Sequence, residues 1–302
     1  MKYNKRYKAP IELIDHLKRK GIKFKSEYKN SEGKLNHINY YKLKEYASKF
    51  YDINTNKYKD LYFNELIDIY YLDKELRANL LHAIEKIEIS FKVQLINVLG
   101  TNGAFNYLEF KNWINKEKYN KQTTEKYEMK FKEKIIKISK TRESNLMNEY
   151  FNKYDEKYPP IWILIEILTL GEVLWLYNLM IPSKKKKVAK VYGLKVEQLE
   201  SWLLRLKLVR NLCAHNMKIY DIKFYKKIKV KNDWNKIGVE YNKIASVILI
   251  LYELIDKINR NYDQKTLTVM KEFLEKYPNL INTFGLKEME SIEKLNNIKF
   301  GF

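Results

Sequence analysis

Cys213 is the sole cysteine of the chain, so no intramolecular disulfide can form and no multi-cysteine metal centre can be assembled. Such thiol poverty fits a reducing compartment, and the expected location is cytoplasmic. Glycine and proline are scarce, nine and five residues, too few to punctuate the many short strands of a sandwich or barrel. The Leu, Ile, Lys, Glu and Tyr that fill most of the length point instead to an all-α fold. No glycine-rich phosphate loop, GxGxxG or HExxH pattern occurs, so neither a metal nor another cofactor is expected. The basic start, MKYNKRYKAP, runs into the charged IELIDHLKRK rather than the apolar stretch of an export signal.

Acidic residues are short too: 37 Asp and Glu against 58 Lys and Arg leave a formal charge of +21. A field of that sign attracts polyanions, nucleic acid first among them. A lysine- and asparagine-rich chain can also reflect a coding bias, so charge suggests a partner class without fixing it.

What is present is 302 residues with 45% hydrophobic content, enough for a substantial core. A short helix is expected from Pro10 to Lys20, with Ile11, Ile14 and Leu17 on one face, and a polar turn around Asp52 to Lys57. The clearest amphipathic segment carries Leu72, Leu76, Leu80, Ile84, Ile87, Phe91 and Leu95 at three- and four-residue spacing. Beside that row run Arg77, Leu81, Glu85, Glu88 and Lys92, a shoulder that suits buried ion pairs or site residues. From about 111 to 158 the chain turns lysine- and glutamate-rich and reads as a mostly solvated helical insertion or arm, with an RNA grip as the rival reading. Residues 161–181 are long and apolar enough to span a bilayer. Glu166 and Glu172 within them, and the flanking prolines, favour a buried helix or helix pair with no membrane role. The lysines at 184–187 read as a solvated loop. Residues 196–218 form a further helix, with Leu199, Trp202, Leu203, Leu206 and Cys213 on one side. A core helix around 240–259 and a charged one near 265–276 close the pattern, and no linker clearly divides the chain.

The hexapeptide RNLCAH, residues 210–215, concentrates the chemistry. A histidine with an ordinary pKa of about 6.5 can move protons near neutral pH, an arginine can hold a phosphorane bidentately, and an asparagine amide can orient either partner. RNA carries its own nucleophile in the 2'-hydroxyl, so His215, Arg210 and Asn211 could cleave it without metal. The bland alternative is an arginine and a histidine that cap a helix end. Geometry constrains the choice, because residues five apart on an α-helix differ by about 140° in direction and 7.5 Å in height. Either the helix breaks between Arg210 and His215, or two copies of the motif meet across a two-fold axis; the dimer is the favoured reading.

Four segments in order resemble the abortive-infection (Abi) family, its AbiD/AbiF-like group within the HEPN superfamily. They are INYYKLKEY (38–46), LDKELRANLLHAIEKIEISFK (72–92), PPIWILIEILTLGEVLWLY (159–177) and LESWLLRLKLVRNLCAHNMKIYD (199–221). The resemblance implies a single HEPN-like helical bundle with additional helices, usually dimeric. It also implies metal-independent endoribonuclease activity at Arg210, Asn211 and His215 that leaves a 2',3'-cyclic phosphate, and toxin-like use in phage defence. A structured non-coding RNA that restrains the toxin is a further implied partner. Lys218 and Lys42 stand where family members commonly carry arginine, which keeps the charge but loses the bidentate fork; with Arg77 they are the candidate RNA-binding residues. Glu85 and Glu88 are candidates to support Arg210, or else they fix Arg77 or Lys86 structurally. A non-catalytic RNA-binding module on the same fold is the alternative function.

Overall fold

In the computed structural model, which describes residues 6–25, 28–259 and 265–296, the expected all-α architecture is present, with fourteen α-helices among the described residues. Helix α1 (Pro10–Arg19) takes Pro10 in its first turn. It gives way to Gly21, whose φ of 93° suits a residue without a side chain, and a Cβ there would meet the Tyr58 carbonyl oxygen at 2.5 Å. Ile14 and Leu17 are buried, whereas Ile11, expected on the same face, is 51% exposed. Helices α2 (Tyr28–His37) and α3 (Tyr40–Ala47) follow, α3 capped by Asn39, which accepts the Tyr41 N–H at 2.8 Å. The expected polar turn is the tip of a small hairpin that pairs β1 (Tyr51–Asp52) with β2 (Lys57–Tyr58).

The organising element is α4 (Phe63–Leu99), about 55 Å long at 1.5 Å per residue. It begins earlier than the periodicity suggests because Phe63, Leu66, Ile67 and Ile69 carry the buried row upstream of Leu72. Helices α5 (Lys121–Thr141) and α6 (Asn145–Lys153) occupy the charged 111–158 stretch. One face of that mostly solvated stretch is anchored to the core: Phe131, Ile135 and Ile138, at helical spacing, are buried. The Phe131 ring centroid lies 5.7 Å from those of Phe110 and Trp175.

Residues 161–181 form a helix pair, α7 (Ile161–Ile167) and α8 (Leu170–Leu179). The break falls at Thr169, whose hydroxyl accepts the Glu172 N–H while the Glu172 carboxylate accepts the Thr169 N–H at 2.7 Å. Among the described residues no helix is long and apolar enough to cross a membrane. The lysine run at 184–187 is helical, not a loop, within α9 (Pro182–Val191). Proline suits its first turn, Lys184 Nζ donates to the Val98 carbonyl at 2.6 Å, and Lys185 pairs with Glu200 at 2.8 Å. Helices α10 (Val196–Ala214), α11 (Ala245–Asp256), α12 (Lys265–Lys276), α13 (Ile281–Phe284) and α14 (Glu290–Asn296) complete the chain. Helices α3 and α7–α12 all pack on α4, and every residue of α11 from 245 to 255 is buried, as expected of a helix apolar all round.

One polar knot ties these layers together. Asp73 on α4 is fully buried and accepts the Tyr46 hydroxyl of α3 at 2.6 Å and the Arg77 guanidinium one turn along. Its other oxygen accepts the backbone N–H groups of Ile219 and Tyr220 at 3.1 and 2.9 Å, just beyond α10. Arg77 donates in turn to the Tyr46 oxygen at 2.8 Å. Burial raises the Asp73 carboxyl, and these donors work against it; burial also opposes the Arg77 charge, but Asp73 keeps that guanidinium above its ordinary pKa. Asp73→Ala should strand the buried Arg77 charge and lower the unfolding free energy by about 3–5 kcal/mol, read from the urea midpoint.

Candidate functional site

Helix α10 runs unbroken through Ala214, and His215 is its last half-helical residue, at φ −91° and ψ 15°. Asn216 then enters the left-handed region at φ 55°. Its N–H donates to the Cys213 carbonyl at 3.1 Å, and the Met217 N–H reaches back to Leu212 at 2.8 Å. This pair of reversed bonds closes the helix with main-chain donors alone. The capping role open to the Arg210 and His215 side chains is therefore filled by the backbone.

Those side chains make no hydrogen bond or ion pair among the described residues, and neither does Asn211. The other described arginines are all engaged. Arg77 sits in the Asp73 knot, and Arg142 grips Glu172 at 2.8 and 3.0 Å. Arg205 donates to Tyr241, Ser246 and Lys226 at 2.6–3.1 Å, Arg6 pairs with Glu12, and Arg19 bonds the Asp15 carbonyl. Arg210 alone is half-buried with nothing to hold. Asn211 and His215 are exposed and lie on one stripe of α10 with Leu204 and Leu208, which are 42% and 46% exposed. Positions 204, 208, 211 and 215 repeat at helical spacing. The helix does not break between Arg210 and His215, so in one chain the two project in different directions.

Arg210 and Asn211 line a cleft of about 440 Å³ together with Lys207, Lys134, Trp175 and the first turn of α8. Gly171 lets Lys207 in: a Cβ there would lie 3.1 Å from the lysine Cε. Glu172, on the cleft wall, is already saturated. Burial pushes its carboxyl up, but hydrogen bonds from Arg142, Lys134 and Thr169 outweigh that and hold it at about 2. Its charge is thus spent on Arg142 and on Lys134 at 2.8 Å, and Lys207 and Arg210 are left without an acidic partner. The Cys213 thiol is pushed up to about 12, by burial and then by the Asp73 charge, so it is no nucleophile at neutral pH. No group of three His, Cys, Asp or Glu among the described residues is placed to hold a metal ion.

The remaining sequence candidates fall elsewhere. Arg77, expected to reach RNA, is 3% exposed and committed to Asp73 and Tyr46. Lys218 directs its ammonium at the Glu45 carbonyl, the Ser48 hydroxyl and Asp221, at 2.6, 3.4 and 3.0 Å, which uses its three donors. Lys42 pairs with Glu45 at 3.0 Å. Lys218 therefore fastens α3 to the chain beyond α10, while the Lys42 pair stays within one turn of α3. Glu88 pairs with Lys92 at 3.7 Å and Glu85 is exposed on α4; neither bonds Arg210. Sequence reasoning missed Lys207, Lys134 and Trp175. Of these only Lys207, three residues before Arg210, carried a helical-spacing signal.

A comparison with protein families finds that the one described as Abi-like protein matches residues 33–221, more than half of the chain and the whole of the Arg210–His215 region. Neither the curated proteins nor the solved structures yield a match.

Because the His215 ring holds nothing in place, His215→Ala should change the unfolding free energy by no more than about 0.5 kcal/mol, checked by thermal and urea melts. Glu172→Gln should behave oppositely. The lowered carboxyl pKa contributes stability above the ordinary value of about 4.3, lost as pH falls toward 2, so the variant should be weaker by about 1–2 kcal/mol at pH 7 after allowance for solvent screening. Urea melts across pH 7 to pH 2 should show that gap close.

Proposed function

The chain belongs to the Abi-like protein family, and on that premise we propose that it is a phage-defence toxin of the abortive-infection kind, a HEPN-type ribonuclease that cuts RNA in the cytoplasm without metal. The observation that carries this reading is the state of Arg210, Asn211 and His215. All three are free of structural partners at the end of a helix that its own backbone closes. An arginine left half-buried and unpaired is held ready for an anion that the chain itself does not supply.

In the proposed reaction the RNA 2'-oxygen attacks the adjacent phosphorus, the bond from phosphorus to the 5'-oxygen breaks, and a 2',3'-cyclic phosphate and a 5'-hydroxyl result. A proton leaves the 2'-hydroxyl and one must reach the departing 5'-oxygen. His215 serves as the acid or base for these transfers, Arg210 holds the phosphorane charge, Asn211 orients the histidine or a phosphate oxygen, and Lys207 steers the strand into the cleft. One His215 per chain supplies one proton-transfer group. A homodimer packed through the exposed Leu204 and Leu208 stripe brings a second His215 to the same axis and joins Arg210 of one copy to His215 of the other. The +21 charge suits a structured non-coding RNA that occupies the toxin until infection.

Cellular RNA exposed to the wild-type protein should acquire cyclic-phosphate 3' ends. His215→Ala should lower their rate of appearance by about 10²- to 10⁴-fold while the protein still folds and binds RNA, and Arg210→Lys should also impair cutting because the fork is lost. Identical end profiles from wild type and His215→Ala, with RNA still bound, would leave a non-catalytic RNA-binding module in place of the enzyme.

A further inference from the structure

A second and larger cleft, of about 960 Å³, lies between α1, α3 and the β1–β2 hairpin, away from the residues that line the Arg210 cleft. Its described lining carries four cations, Arg6, Lys8, Lys20 and Lys44, with His16 and five tyrosines, and not one carboxylate. Only Arg6 among the four is paired with a carboxylate, Glu12 at 3.2 Å. Lys8 meets the His16 ring at 3.2 Å, and Lys20 meets the Asn56 amide oxygen at 3.1 Å, contacts that leave both charges uncompensated. The local field registers on His16, whose pKa is lowered by burial and then by Lys8, Arg19, Lys20 and Lys44.

The tyrosines are arranged for flat ligands. Tyr40 meets both Tyr41 and His16 edge to face, and Tyr51 meets Tyr58 in the same way, at centroid distances of 5.2–5.9 Å. None of these pairs stacks ring on ring, and Tyr7 and Tyr51, 84% and 37% exposed, are the rings of the lining that offer a face to a base.

We propose that this tyrosine-lined basic cleft binds a single-stranded segment of RNA, with bases stacked on the rings and phosphates held by Lys8, Lys20 and Lys44. A strand presents an anion and an aromatic plane at every residue, the repeat that interleaved cations and rings match. An acidic peptide would satisfy the cations and leave the rings unused, and a duplex keeps its base faces inside its own stack. The preference for RNA over DNA rests on the proposed ribonuclease reading; strand binding itself does not. The cleft is also mechanically tied to the motif. Ser48 lines it and accepts from Lys218 Nζ at 3.4 Å, and Lys218 stands three residues past His215, so a strand held here is fastened to the segment that follows the histidine.

The test is fluorescence anisotropy with a labelled unstructured RNA of a dozen nucleotides and the full chain carrying His215→Ala, so that nothing is cut during the titration. Adding Tyr7→Ala and Lys44→Ala should raise Kd at least tenfold. It should also flatten the salt dependence by about 0.7 log units per log unit of salt for the lost phosphate contact, with an unchanged melting temperature because both side chains are exposed. An unchanged Kd, equal affinity for the matched duplex, or tighter binding of the same sequence as DNA would overturn the proposal. A strand that binds here in an anisotropy titration and yet emerges uncut from the wild-type protein would sink the ribonuclease reading and leave this cleft standing.

Discussion

The buried pair of Asp73 and Arg77 is the interaction on which the arrangement of the candidate site depends. Asp73 is a fully enclosed charge that accepts hydrogen bonds from three parts of the chain: the Tyr46 hydroxyl on α3, Arg77 on its own helix, and two backbone N–H groups beyond α10. A buried ion pair of this kind contributes little net stability against an apolar equivalent. Its effect is positional, since an unpaired charge in that interior is far worse than a paired one and only one register of the post-α10 segment satisfies it. That register places Tyr220 against Tyr46 and draws Lys218 onto α3. His215 is thus held at the end of a helix whose exit path is pinned a few residues later.

The second governing feature is the distribution of acids. With 37 carboxylates against 58 cations, the fold uses many of its acids as fasteners: Glu172 takes Arg142 and Lys134, Glu200 takes Lys185, Glu253 takes Lys231. Among the cations left over, Lys207 and Arg210 share one cleft and Lys8, Lys20 and Lys44 share another, concave places where low-dielectric walls strengthen their charge. A uniformly basic surface would bind polyanions without orientation. Charge gathered beside aromatic rings and beside an unpaired Arg, Asn and His can orient them.

Much of this was legible from the chain itself, and the limits were physical. The α4 row from Leu76 to Leu95 and the wholly buried α11 follow from periodicity, because an apolar stripe at 3.6-residue spacing can satisfy only one backbone geometry. The lysine run at 184–187 misled because charge reads as solvation, while Lys184 lays its stem on the fold and caps the Val98 carbonyl. For Arg77 and Lys218 the sequence shows only a cation, and whether it faces an RNA phosphate or an internal carboxylate or carbonyl depends on a partner 4 or 173 residues away. The charged stretch from 111 to 158 concealed three apolar anchors, Phe131, Ile135 and Ile138, among many lysines.

By itself the sequence determined the all-α class, the long central helix, the excess positive charge and the presence of an Arg–Asn–His motif near a helix end, because each is a property of local spacing or simple counting. The tertiary structure decided which charges are available. It buried Arg77, occupied Lys218 and Lys42, closed the end of α10 with backbone bonds, and left Arg210, Asn211 and His215 without a partner. It also brought α1, α3 and the β1–β2 hairpin together so that Arg6, Lys20, Lys44 and Tyr51 meet in one cleft. Those outcomes rest on contacts between residues far apart in sequence, and no period or count along the chain encodes whether an ionic group will find its counter-charge inside the fold or outside it.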